Sequence, residues 1–265
     1  MLTQAERKLY KSLSMKKHRA ENGLFLVEGM RAVGEVLHSG FIPRVVLHTK
    51  EFQAGPEGGT LLGAFRKEGV RIEAVSVKEL APIVDTVQAQ GIAAIVEMKR
   101  WTLDGLLPLH GPGMLLVALD AVSDPGNVGT MIRTADWFGV DGVILGKGCV
   151  DMYNAKVVRG SMGSIFHLPI VEDVDLQQAI SSAREAGFQT YATGVAGINE
   201  VSGDAGRLMI VFGNEAHGIS QGIRGLVDGT IAIPRFGRAE SLNVSVACGA
   251  ILWNVRRIGR EESRA

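Results

Sequence analysis

From Met114 onward the chain alternates short, uninterrupted apolar runs with segments of helical spacing, and this alternation restricts the fold more than any other feature. Residues 115–119, 140–145, 167–171, 189–193, 208–212 and 230–233 read as strands. Residues 128–138, 154–162 and 176–186 read as helices between them, and 241–258 as a long final helix. Strands that are apolar on both faces and alternate with helices predict an α/β fold, a mainly parallel sheet covered on both sides. The first ~100 residues repeat the rhythm on a smaller scale. Strands are expected at 24–27, 45–48, 71–75 and 91–96, with helices at 30–38, 60–67 and 77–84. Between the two halves, residues 99–113 carry Pro108, Pro112, Gly105, Gly111 and Gly113 and no periodic stretch. The expected organisation is therefore a smaller α/β domain at 1–98, a linker at 99–113 and a larger α/β domain at 114–265.

Composition narrows the classes. The chain has 265 residues, 46% hydrophobic and 6% aromatic, as in an ordinary globular protein. No apolar run reaches the ~20 residues that span a bilayer, and the polar, basic N-terminus has no secretory apolar region. Membrane partners are not expected. Cys149 and Cys248 lie far apart and form no CxxC pair, which fits a reducing cytoplasm and argues against a zinc ribbon or disulfide scaffold. Formal net charge is zero, so bulk attraction to nucleic acid is not expected. Locally, Arg7, Lys8, Lys11, Lys16, Lys17, His18 and Arg19 face only Glu6 and Glu21, either as a phosphate-tracking surface or as a solvated, partly frayed terminus.

Ligands of open parallel sheets bind at the carboxyl ends of strands. Three loops there are polar in an unusual way. The first runs from Asp120 through Ala135. Pro125-Gly126 makes a turn, Asn127 stands where a helix cap is expected, and Arg133 follows six residues later in an apolar helix. The bland reading is a cap and a surface charge; the functional one is anion or ribose recognition. The second, 211–219, takes a hydrophobic strand directly into Gly213, Asn214 and Glu215, with His217 nearby as a turn histidine. Thr193-Gly194 makes a similar exit one strand earlier. The third, 231–247, passes Ile233-Pro234 and a glycine-bearing loop to Ser241, Leu242 and Asn243 at the head of the last helix. Ser241 is the expected cap of that helix, and Asn243 has no evident structural need. The small residues 247–250 suit close helix packing, as at a subunit interface. No Ser-His-Asp triad, metal cluster or poised carboxylate pair is legible. Such a site suits a reaction in which a cofactor carries an activated group and the protein aligns the reactants.

In this order, Asp124-Pro-Gly-Asn-Val-Gly…Ile132-Arg-Thr-Ala, Phe212-Gly-Asn-Glu-Ala-His-Gly-Ile and Ile233-Pro…Glu240-Ser-Leu-Asn-Val-Ser-Val-Ala resemble the three signature motifs of the SpoU/TrmH-type RNA ribose methyltransferases of the SPOUT superfamily, over roughly residues 114–258. Phe25-Leu-Val-Glu-Gly and Gln90-Gly-Ile-Ala-Ala resemble, more thinly, the L30e-like substrate-binding domain that such enzymes often carry. The resemblance implies a deep trefoil knot in the C-terminal part, a topology otherwise almost absent from proteins. It implies S-adenosylmethionine as cofactor, bent into a pocket of loops 193–197, 212–218 and 231–243. Thr193, Gly194, Gly213, Ile233 and Leu242 are the implied cofactor-binding positions. Asn127, Arg133, Glu215, Ser241 and Asn243 match active-site positions. Arg133 is expected to orient the hydroxyl and a neighbouring phosphate, Glu215 to hold the loops and Arg133, and Asn243 to fix the third loop. A homodimer in which the second subunit completes each site is implied, with RNA as partner and rRNA favoured over tRNA. Three alternatives stand beside this reading. They are a non-catalytic protein that binds structured RNA on the same fold, a base methyltransferase and, more distantly, a dinucleotide-binding oxidoreductase, for which no GxGxxG is present.

Overall fold

A computed structural model describes residues 2–86, 89–108, 113–198 and 206–262, with side chains of the last helix described through Arg257. The chain forms two compact units. The first comprises the residues up to Lys99 together with Tyr153–His167. The second comprises Arg100–Met152 and the residues from Leu168 on.

The first unit opens with α1 (Gln4–Ser12) and α2 (Lys16–Asn22). A capping box starts α1: Thr3 accepts from the backbone N–H of Glu6, and the Glu6 carboxylate reaches back to Thr3. The basic N-terminal stretch is thus built into helices. Arg19 is buried, and its Nη1 donates to the carbonyls of Leu13 and Ser14 at 2.8 and 2.9 Å, so it serves the fold and not a phosphate surface. Then follow β1 (Leu24–Glu28), α3 (Met30–Val36), β2 (Pro43–His48), α4 (Lys50–Ala54), α5 (Gly58–Lys67), β3 (Ile72–Ala74), α6 (Val77–Leu80) and β4 (Ile92–Glu97). The sheet order is β1-β4-β2-β3; β4 runs antiparallel to β1 and β2, and β3 is parallel to β2. The two-residue repeat of a strand divides the core. Leu26, Val45, Leu47, Ala93 and Ile95 pack with Tyr10, Leu13 and Leu80. Phe25, of the other parity, meets rings from much further along the chain. Its centroid lies 4.4 Å from that of Tyr153 and 6.4 Å from that of Phe166. Tyr153 also exchanges hydrogen bonds with the backbone of Lys99. These contacts explain why the segment bearing α9 (Ala155–Gly160) belongs to this unit.

The second unit begins with α7 (Leu103–Leu106), a short helix within the expected linker. Leu106 and the adjoining Leu107 enter the core; residues 109–112 of that stretch lie outside the described residues. Then come β5 (Met114–Leu119), α8 (Pro125–Trp137), β6 (Gly142–Gly146), β7 (Ile170–Val174), α10 (Leu176–Glu185), β8 (Gln189–Gly194), β9 (Arg207–Phe212), α11 (Gln221–Arg224), β10 (Gly229–Ala232) and α12 (Val244–Glu262). The six strands lie in the order β10-β8-β9-β5-β6-β7, and every neighbouring pair is parallel. Met114, Leu116, Ala118, Met209 and Val211 cover one face with Leu176, Ala179, Ile180 and Ala183 of α10. The buried residues of opposite parity, such as Leu115 and Val117, turn to the other face. There α8 and α12 pack on each other. Strand β7 starts three residues later than the sequence pattern suggested, because residues 164–166 close a 3-10 turn and Pro169 has no N–H to give a ladder.

One ion-pair cluster gives the first unit a testable acid limit. Arg71 donates to Glu6 at 2.5 Å and to Glu73 at 2.9 Å, joining α1 to β3. The hydrogen bond from Arg71 holds the Glu6 carboxyl down at about 2, below its ordinary 4.5. A depressed carboxyl stabilises the fold above its unfolded pKa and loses that contribution as pH falls through the folded value. In urea titrations the wild-type midpoint should therefore exceed that of Glu6→Gln at neutral pH, and the gap should shrink between pH 4.5 and about 2. A gap independent of pH would show that the charge of Glu6 is not what matters.

Candidate active site

The parallel register brings the carboxyl ends of four neighbouring strands to one edge. Leu119 of β5 pairs with Phe212 of β9, Ala192 of β8 with Val211 of β9, and Gly194 of β8 with Ala232 of β10. The strand ends, the loops that leave them and the helix α8 that follows β5 hold the residues singled out in the sequence.

Helix α8 begins differently from the expectation. Asp124, not Asn127, is the cap: its Oδ1 accepts from the backbone N–H of Asn127 at 2.8 Å. Pro125 fits the first turn, where its missing N–H costs nothing. Asn127, released from capping, turns its side chain to other loops. Its Nδ2 donates to Oε1 of Glu215 at 2.5 Å, and its Oδ1 accepts from Nδ2 of Asn243 at 3.0 Å. Asn127, Glu215 and Asn243, separated by up to 116 positions, therefore form one hydrogen-bonded chain.

Asn243 also corrects the reading of the last helix. It stands immediately before α12, and its Oδ1 accepts from the N–H groups of Ser245 and Val246 at 2.9 and 3.3 Å. It is therefore the cap that had been expected of Ser241. Ser241 and Leu242 lie exposed just ahead of it. Ile233 is half-buried at the exit of β10, while Pro234 and Phe236 project into solvent.

The loop after β9 closes on itself. The backbones of Asn214 and Gly218 exchange two hydrogen bonds, 3.1 and 2.8 Å. The Asn214 side chain accepts from Ala216 N and His217 N, and donates to the carbonyl of Ala121 at 2.8 Å. Ala121 has a positive φ of 53°, a strained backbone for a residue with a Cβ. Asp120, nearly buried, accepts from Ser220 N at 2.7 Å. Asp120 and Asn214 thus clamp the first two loops together, while Asp124 fixes the start of α8 within the first. Sequence reasoning gave none of them a role, although Asx residues after strand exits are a known turn signal.

Arg133 lies on the exposed side of α8 and makes no hydrogen bond or ion pair among the described residues. Glu215 engages Asn127, at the start of the helix that carries Arg133, and not the guanidinium itself. Thr193 is half-buried and Gly194 exposed, followed by exposed Val195 and Ile198. His217 is exposed, and its backbone alone is used.

Comparison with known proteins agrees with this geometry. Residues 114–253 match the SpoU rRNA Methylase family, and residues 6–94 match the MRM3-like substrate binding domain. The chain is 32% identical over 250 residues to the 23S rRNA (guanosine(2553)-2'-O)-methyltransferase RlmP of Bacillus subtilis, covering 93% of this chain and 94% of that one. It resembles the AdoMet-bound rRNA methyltransferase of Sinorhizobium meliloti at 31% identity and a TM-score of 0.84, covering 97% and 96% of the two chains. It likewise resembles the SpoU methyltransferase AviRb of Streptomyces viridochromogenes in complex with AdoMet, at 30% identity and a TM-score of 0.82, covering 96% and 98%. With these matches and the three converging loops, the chain belongs to the SpoU rRNA methylase family.

Proposed function

We propose that this chain is an S-adenosylmethionine-dependent RNA methyltransferase that modifies a ribose 2′-hydroxyl, with rRNA favoured over tRNA as substrate. The observation that carries the proposal is the chain Asn243–Asn127–Glu215, which ties the three motif loops together at the carboxyl edge of a parallel sheet. The relatives' names specify guanosine in one case and uridine in another, so the class of reaction and not the base is what the comparison supports.

The residues present fit the cofactor. At Gly213 a Cβ would lie 2.3 Å from the Gly218 carbonyl carbon, and at Gly197 2.2 Å from the Thr230 oxygen, so the loops approach one another as bare backbone. Beside this cradle, Val195, Ile198 and Leu242 leave apolar side chains exposed, as an adenine face requires. Thr193, Gly194, Gly213, Ile233 and Leu242 would hold the cofactor. Bound there, S-adenosylmethionine supplies a methyl group already activated on a cationic sulfur. What remains for the chain is alignment. Arg133, exposed and without a partner among the described residues, orients the 2′-hydroxyl and the adjacent phosphate. A guanidinium is a poor base, so the role assigned to it is to hold the oxygen. Asn127 and Glu215 fix the start of α8 that carries Arg133, and Ser241 and Asn243 set the third loop opposite.

The proposal assigns RNA binding to residues 1–98, a connecting role to 99–113 and catalysis to 114–265, with the trefoil threading of the family in the last. It places the protein in the cytoplasm as a homodimer. The dimer has a surface that suits it. On the packed pair α8 and α12, Trp137 is 84% exposed and Trp253 58%, with Val246 beside them at 57%. Large aromatics left in water on one helix pair mark an interface.

Three outcomes test this reading. With labelled S-adenosylmethionine and an unmodified 23S rRNA transcript, label should appear in alkali-resistant dinucleotides, because alkaline cleavage needs a free 2′-hydroxyl; label confined to a base would overturn it. Arg133→Ala should keep cofactor affinity within a few-fold by calorimetry and slow turnover on the order of 10²–10³-fold, the usual cost of one lost donor at a reacting oxygen. Unchanged turnover removes Arg133 from the mechanism. In sedimentation, wild type should run as a dimer and Trp253→Glu shift toward monomer; a monomeric wild type would refute the assembly.

A further inference from the structure

We propose that the first unit takes one unpaired RNA nucleotide into a cavity lined by Glu28, Arg31, Thr86, Gln90, Arg159 and Met162, with its base in the cavity and its phosphate at Arg31. This rests on the reading that residues 1–98 bind RNA. The cleft is small, with a cavity volume of about 170 Å³ and an open mouth, so it is a subsite for one group and not a full ligand pocket of roughly 300–1,000 Å³.

Its lining has three kinds of chemistry. The floor carries a positioned acceptor and donor. The Glu28 side chain is only 7% exposed, and its carboxylate accepts from Asp85 N at 2.6 Å, Thr86 N at 3.3 Å and Thr86 Oγ1 at 2.9 Å. A carboxylate has about four acceptor sites, so one remains on this fixed group. Its charge is balanced by Arg159, 3.8 Å away, which also pairs with Asp85 at 3.3 Å. Gln90 uses its Oε1 to accept from Met30 N at 2.8 Å, which leaves its amide N–H groups as donors. A fixed acceptor beside a fixed donor is what the hydrogen-bonding edge of an unstacked base needs.

One wall is apolar and held at a cost. Met162 is a large side chain left 38% exposed, and its φ of +53° is in the left-handed region that methionine avoids. Gly163 follows at φ +102°, where a Cβ would fall 2.6 Å from Glu35 Cγ. Backbone strain that presents an exposed apolar group to a cavity points to a ligand surface. A thioether packs well on a flat π-system. At the mouth, Arg31 is exposed and makes no hydrogen bond or ion pair among the described residues, which leaves its guanidinium for a phosphate. Apolar wall, edge-reading pair and a cation without a partner among the described residues together describe a nucleotide, and a base can enter such a cleft only when it is not paired.

The test is a cross-linking map. A 23S rRNA transcript substituted throughout with 4-thiouridine is irradiated with the full chain, and the linked peptides are identified. Links should fall on Met162 and on peptides bearing Arg31 or Gln90, and should vanish when the RNA is fully paired with its complement. Links elsewhere in the first unit but not at the cavity overturn the pocket and leave RNA binding by the unit standing. No link anywhere in the unit overturns both. As a second readout, Arg31→Glu combined with Met162→Ala should weaken transcript binding about tenfold at fixed salt while cofactor affinity stays within about twofold. Equal RNA binding by variant and wild type overturns the proposal.

Discussion

At Gly213 the chain leaves β9 so close to Gly218 and Ile219 that any Cβ would fall within 2.5 Å of their backbone atoms. The rest of the site depends on this approach. Because the backbones touch, the loop can close through the Asn214–Gly218 exchange, and Glu215 is carried at its tip. Because Gly197 lies equally close to Thr230, the exit of β8 is bound to β10 by the Ile198–Ile231 bridge. A cleft formed this way offers peptide N–H and C=O groups in fixed positions. Under the proposed reading it would bind by shape and hydrogen bonding without charged side chains, which suits a cofactor whose reactive group needs no further activation.

The polar side chains then serve as connectors. Asparagine suits this task because one side chain both donates and accepts. Asn127 uses both capacities, giving Nδ2 to Glu215 and taking Asn243 at Oδ1. An aspartate there would face the Glu215 carboxylate with no proton to share, and like charges at hydrogen-bond distance repel. Asn243 divides its own amide in the same way: Oδ1 caps α12 while Nδ2 reaches Asn127. The geometry of the third loop is therefore tied to the start of a 19-residue helix. Arg133 is left out of this network among the described residues, which is consistent with the substrate-facing role proposed for it.

Much of this was legible in the sequence because it rests on local chemistry. Uninterrupted apolar runs gave the parallel strands of the second unit within a few residues, and the strand ends, their exit loops and α8 held the candidate site residues. What was not legible depended on distant partners. Asn127 looked like a cap until Asp124, three residues earlier, took that bond. Ser241 and Asn243 are equally good caps by composition, and only the true start of α12 decides between them. Arg19 read as one more basic residue, because nothing local announces that its guanidinium will be buried against the carbonyls of Leu13 and Ser14. The placement of Tyr153–His167 in the first unit was equally hidden, since it is set by aromatic packing on Phe25, over a hundred residues away.

The balance of charge bears on how such a protein finds RNA. With 28 basic and 28 acidic residues, the chain has no net field to draw in polyanions. Many of its cations are also spent internally: Arg19 on carbonyls, Arg71 on Glu6 and Glu73, Arg184 on Asp228. Exposed arginines without a partner among the described residues are therefore informative. Arg31 lies at the mouth of the cavity in the first unit, Arg133 on α8, and Arg235 and Arg238 on the loop between β10 and α12. A protein that makes few phosphate contacts would show a shallow salt dependence and weak non-specific binding. Under the proposed reading, discrimination would then rest on shape and on unpaired nucleotides, which local arginines beside clefts can read and a uniformly basic surface cannot.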